Sequence, residues 1–145
     1  MLVAACLAAA SGCDDGSANR ILMRKACLQY IHAGYDAFLD QNAAGPTDTD
    51  QLADFVKDLE SPAMANVPKM IGDQGVADEA IARVREGEIV VIWGGKYPDE
   101  PSERLKYLLA FEARTPGSGG YLVRADGEVL HVTATEFSDY GELPH

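Results

Sequence analysis

The apolar residues of this chain change their period once, near Gly87. Before it they recur every three or four residues, the spacing of one helix face. After it they come in β-branched and alternating blocks, the spacing of strands. Helices first and strands later, joined by hairpin-compatible links, define an α+β chain. The expected architecture is a long N-terminal helix packed on a small three- to four-stranded antiparallel sheet, with short accessory helices. Parallel pairing needs crossover helices, which the second half of the sequence lacks.

The elements follow from that pattern. Asp14 to Ala18 is small and polar and reads as a tether, with Asn19 as N-cap of a helix running to about Asn42. Ile21, Leu28, Ile31, Tyr35, Phe38 and Leu39 form its apolar face, beside Cys27 and Gly34. Gly45-Pro46 stops it. Thr47 or Thr49 is expected to cap a second helix, Asp50 to Leu59, with Leu52, Phe55, Val56 and Leu59 on one face. Ser61 to Gly75 is irregular; a short helix over Ala77–Arg85 ends at Gly87. The β-branched run Ile89-Val90-Val91-Ile92 reads as a central strand within Glu88–Trp93, broken by Gly94-Gly95. A proline-rich acidic loop, Lys96–Glu103, leads to a strand over Leu105–Ala113 and a flexible run, Pro116–Gly120. Tyr121–Arg124 and Glu128–Val132 flank Asp126-Gly127, a strong hairpin signal. Thr133-Ala134-Thr135-Glu136 has the form of a capping box opening a last short helix.

Charge and cysteine count narrow the functional classes. A formal net charge of −11 repels phosphate backbones and argues against a nucleic-acid partner. An apolar fraction of 47% excludes a chain disordered throughout. Arg20, Arg24 and Lys25 are the local exception. Near an anionic leaflet each would add about 1 kcal/mol of attraction; on a solvated helix face they would add nothing.

The segment ahead of the first helix carries a second signal. Met1 to Gly12 is apolar or small and uncharged, and shorter than the roughly 20 residues of a transmembrane helix. Leu7-Ala8-Ala9-Ala10-Ser11-Gly12-Cys13 resembles the lipobox of bacterial lipoproteins, with Ala10 where leucine is most usual. The resemblance implies a signal peptide over 1–12, a diacylglycerol on Cys13, a lipidated tether over 13–19 and a single α+β head over 20–145. No basic residue precedes the apolar segment, so the natural start is expected upstream of Met1. Cys6 then leaves with the signal, and Cys27 stands alone as a small buried hydrophobe.

The head has a resemblance of its own. Arg24-Lys25-Ala26-Cys27-Leu28-Gln29-Tyr30-Ile31 and Gly119-Gly120-Tyr121-Leu122-Val123-Arg124-Ala125-Asp126-Gly127-Glu128-Val129 resemble the first head helix and terminal hairpin of planctomycete-type pilin-like and pseudopilin-like proteins. The likeness covers about residues 20–137. Pilins also carry a prepilin peptidase site and a long apolar helix; this sequence has neither, so filament assembly is not implied and a lipid anchor takes that place.

Chemistry has few candidates. His32, Asp36 and Asp40 recur every four residues on one helix face, and such a trio suits a divalent metal as well as a solvated stripe. Asp99, Glu100 and Glu103 make a carboxylate group in a loop. A hydrolase would need a pocket joining distant residues such as His131 and Glu112. Trp93, Tyr97, Tyr107 and Tyr121 either cover the core edge or form a contact patch. No nucleophile elbow or metal-binding motif is present. The expected function is a non-enzymatic, extracytoplasmic lipoprotein, held to a bacterial membrane through Cys13 and without a cofactor. Its head would contact another protein of the envelope. The alternative is a lipid-anchored small-ligand or metal-binding protein.

Overall fold

Leu28, Ile31 and Tyr35 are fully buried along one face of a single long helix, α1 (Asp14–Gln41). The computed structural model describes residues 14–58 and 74–145. Each buried aliphatic side chain contributes about 1.5–3 kcal/mol relative to exposure, so this face organises the head. The helix begins five residues before Asn19. Asn19 is therefore internal and not a cap, and Asp14–Ala18 is helical. No proline interrupts that stretch, and its one glycine, Gly16, costs a helix only about 1 kcal/mol.

Two shorter helices pack beside α1. In α2 (Thr49–Asp58) the cap is Asp48, whose Oδ1 accepts from the Gln51 N–H at 2.8 Å. The side chain of Gln51 in turn accepts from the Thr47 N–H at 2.7 Å. The carboxylate between the two threonines thus takes the role expected of a hydroxyl. Leu52 is fully buried, whereas Leu59 and most of Ser61–Gly75 lie outside the described residues. Helix α3 (Gln74–Arg85) starts earlier than its apolar pattern indicates and ends at Gly87, with φ +77. There the Gly87 N–H donates to Val84 and the Glu88 N–H to Arg83, a Schellman closure.

The second half forms a five-stranded sheet. Its strands are β1 (Ile89–Val91), β2 (Tyr107–Glu112), β3 (Gly120–Arg124), β4 (Val129–Val132) and β5 (Gly141–Glu142). Strand β2 is the middle of the sheet. It pairs antiparallel with β3, and with β1 and β5 at opposite ends of its length. The β-branched run is therefore an edge strand and not a central one: Val90 is 37% exposed, and only Ile89, Val91 and Ile92 are buried. The β2–β5 pair is parallel; the chain returns to β2 only after β3, β4 and the short helix α5 (Ala134–Phe137), which serve as the crossover.

Register places Ile89 opposite Glu112, Val91 opposite Ala110, and Ala110 opposite Val123. These residues share the face on which α1 lies. The other face carries Val90, Phe111, Leu122 and Leu130. It is partly covered by α5, whose Phe137 meets Phe111 edge-on at 4.8 Å. The capping box opening α5 is present: Thr133 accepts from the Glu136 N–H, and the Glu136 carboxylate accepts from the Thr133 N–H. Residues 116–118, expected to be flexible, belong to one helical turn, α4 (Thr115–Ser118), with the fully buried Thr115 beneath it. The Asp126-Gly127 hairpin forms as a three-residue loop, in which Gly127 at φ +90 follows a turn closed by its N–H to Arg124.

Candidate functional site at the free end of helix α1

Among the described residues, little packs on the stretch of α1 from Gly16 to Leu22. Every residue from Gly16 to Leu22 is exposed, including Ile21 at 38% and Leu22 at 59%. At about 1.5 Å per residue, this stretch amounts to about 10 Å of helix standing clear of the head. Cys13 lies outside the described residues, immediately ahead of α1 in sequence. Among the described residues no helix is long and apolar enough to cross a membrane.

Arg24 marks the point where the helix meets the sheet. Its Nε and Nη2 donate to the two carboxylate oxygens of Glu112 at 2.5 and 2.6 Å. The Tyr121 N–H adds a third bond to the same carboxylate at 2.9 Å. The guanidinium also lies over the Tyr121 ring at 4.8 Å, a cation–π contact. Glu112 is only 8% exposed. Burial alone would raise its pKa, but the bonds from Arg24 and Tyr121 and the charges of Arg24 and Arg114 outweigh it and hold the carboxyl below its ordinary range. This arrangement holds charge in place and leaves no free acid or base. Of the basic cluster read from sequence, Arg24 is thus structural, while Arg20 remains exposed.

The other candidate residues are dispersed or engaged. His32 Nε2 donates to the Ala125 carbonyl at 3.2 Å, and its ring stacks on Tyr97 at 6.0 Å. His32 therefore braces the hairpin loop. Among the described residues no group of three or more His, Cys, Asp or Glu is placed to hold a metal ion, so His32, Asp36 and Asp40 are not gathered into a site. Cys27 is fully buried, and burial pushes its thiol up to about 11, away from nucleophilic use. His131 meets the edge of Tyr121 at 4.9 Å, while Glu112 is bound to Arg24; the two do not form an acid–base pair. In the acidic loop Glu103 is taken by Lys106 at 2.8 Å. Trp93, Tyr97, Tyr107 and Tyr121 are half-buried and pack against the core.

Sequence reasoning missed the part played by Glu112. A signal existed: a lone carboxylate closes the apolar run Leu108-Leu109-Ala110-Phe111, at a position whose register turns it inward. It also missed a clasp at the opposite end of α1. There the Tyr35 hydroxyl donates to the carbonyls of Ile92 and Gly95 at 3.0 and 3.1 Å. The Gly45 N–H donates to Gly95, and the Gly94 N–H to Pro46, so two glycine-bearing loops close around that hydroxyl.

Comparisons with family models, with curated proteins and with solved structures give no match.

Proposed function

We propose that this chain is a non-enzymatic lipoprotein of the bacterial cell envelope, anchored through lipid on Cys13, with a pilin-like head that contacts another protein. The observation that carries the reading is the exposed start of α1. A helix that emerges from the lipobox-like segment and runs about 10 Å before meeting its own head is a stalk. It sets the head off from a surface and fixes its direction, because α1 is also the core helix. The Arg24–Glu112 pair ties stalk to sheet, so the head does not pivot at their junction. The buried thiol, the engaged histidine and the bound carboxylate support a role in contact and not in catalysis.

Detergent phase partition of cells expressing the chain tests the anchor. The parent is expected in the detergent phase and Cys13→Ala in the aqueous phase. Equal partition of the two would remove the anchor.

A further inference from the structure

We infer that the free edge of β4 is a docking site for an extended segment of another protein that alternates apolar and basic side chains. The inference rests on the contact role proposed above and names its surface and partner class.

Among the described residues β4 pairs only with β3. The Arg124 N–H donates to the Glu128 carbonyl at 3.1 Å, which makes Arg124–Glu128 the bonded pair that closes the hairpin. Bonded and non-bonded pairs alternate along an antiparallel ladder. With Leu122 opposite Leu130 and Gly120 opposite Val132, those pairs bond inward. The peptide groups of Val129 and His131 therefore point away from β3. Among the described residues no backbone bond reaches them. Two N–H and two C=O groups in one row form a template for a further strand.

The side chains beside this edge indicate what that strand carries. A depression of about 300 Å³ adjoins β4, lined by Leu130, His131, Val132, Glu136, Asp139 and Tyr140. Side chains of an added strand alternate, so one in two would face it. Leu130 and Val132 offer an apolar floor beside two acids, Asp139 and Glu136, of which the Glu136 carboxylate also serves the capping box of α5. That combination suits a lysine or arginine, whose stem lies on apolar surface while its head meets the acids. A second copy of this chain would set these carboxylates against their own kind. The charge therefore favours a basic partner over self-association.

The test uses the immobilised full chain and a displayed library of random nine-residue peptides, followed by binding of the enriched peptides to two variants. His131→Pro deletes one outward N–H without touching the β3 ladder, a change edge strands tolerate. Asp139→Lys reverses charge at the rim. The expected result is enrichment of peptides alternating β-branched and basic residues. Their affinity should fall about tenfold in each variant, and the Val129 and His131 amides should gain exchange protection when peptide binds. Peptides that bind both variants as they bind the parent would overturn the β4 site and leave a contact role elsewhere standing. Failure to enrich any alternating sequence, or self-association through β4, would overturn the proposal. Neither outcome bears on the lipid at Cys13, which phase partition reads separately.

Discussion

Arg24 and Glu112, 88 residues apart in the chain, meet through two hydrogen bonds of 2.5 and 2.6 Å where α1 joins the sheet. Removing one partner strands the other as a poorly solvated charge, whereas removing both leaves apolar surface. Arg24→Leu is therefore expected to destabilise the fold by about 3 kcal/mol, and the double variant Arg24→Leu/Glu112→Leu to recover much of that loss. Urea unfolding of the full double-mutant cycle measures it. The pair also sets an acid limit. The folded-state pKa of Glu112 lies below the ordinary 4.5, so its stabilisation is present above that value and is lost as pH falls through the lowered one. Glu112→Gln should flatten the acid limb of the stability curve.

The clasp around Tyr35 makes a steric prediction. A Cβ on Gly45 would lie 2.1 Å from the Tyr35 hydroxyl oxygen and 2.3 Å from its ring carbon Cζ. Gly45→Ala is expected to cost about 3 kcal/mol, at the upper end for overpacking. Gly117→Ala meets nothing within 4 Å and should change stability by less than about 0.5 kcal/mol. Thermal unfolding of the two variants side by side gives the contrast.

Tyr97 carries a hydroxyl that is buried without a hydrogen-bond partner among the described residues. Its ring stacks against His32 and Tyr35 and lies under the Arg104 guanidinium, contacts that phenylalanine keeps. An unsatisfied buried hydroxyl costs about 1–3 kcal/mol. Tyr97→Phe should therefore raise stability by about 1 kcal/mol, read as a shift in urea midpoint at constant slope.

The buried thiol and phenols set an alkaline limit. Burial pushes Cys27 up to about 11, and Tyr30 and Tyr35 up to about 12. The unfolded chain releases these protons first, near 9 and 10, and so binds fewer protons than the fold above pH 9. Stability should fall as pH rises from about 9 to 12, by up to about 1.4 kcal/mol per pH unit for each group. At pH 7 Cys27 should resist iodoacetamide in the folded chain and react once the chain is unfolded in urea.

Much of the fold was legible because local chemistry wrote it. The i, i+3, i+4 spacing of Leu28, Ile31 and Tyr35 located the core face of α1. Gly87, Gly127 and the Thr133–Glu136 box marked their turns and caps through backbone requirements that few residues meet. The contrary cases depend on distant partners. Ile89-Val90-Val91 has a central-strand composition, yet its place at the edge is decided by β2 taking β3 on its far side. Gly141–Glu142, too short to show a period, becomes a strand only because β2 offers it a parallel edge. His32, Asp36 and Asp40 share a helix face, but the hairpin loop and Tyr97 determine what His32 touches. Helical spacing says which residues look the same way and nothing about what they meet.

The anchor at Cys13 is the claim on which location and role depend. Intact mass spectrometry of the protein extracted from membranes, expressed from its native locus beside Cys13→Ala, tests it most directly. The expected parent species begins at Cys13 and carries acyl mass, and Cys13→Ala lacks that mass. A parent chain that keeps Met1 and bears no acyl group would contradict the anchored reading and return both Cys6 and Cys13 to the chain as free thiols.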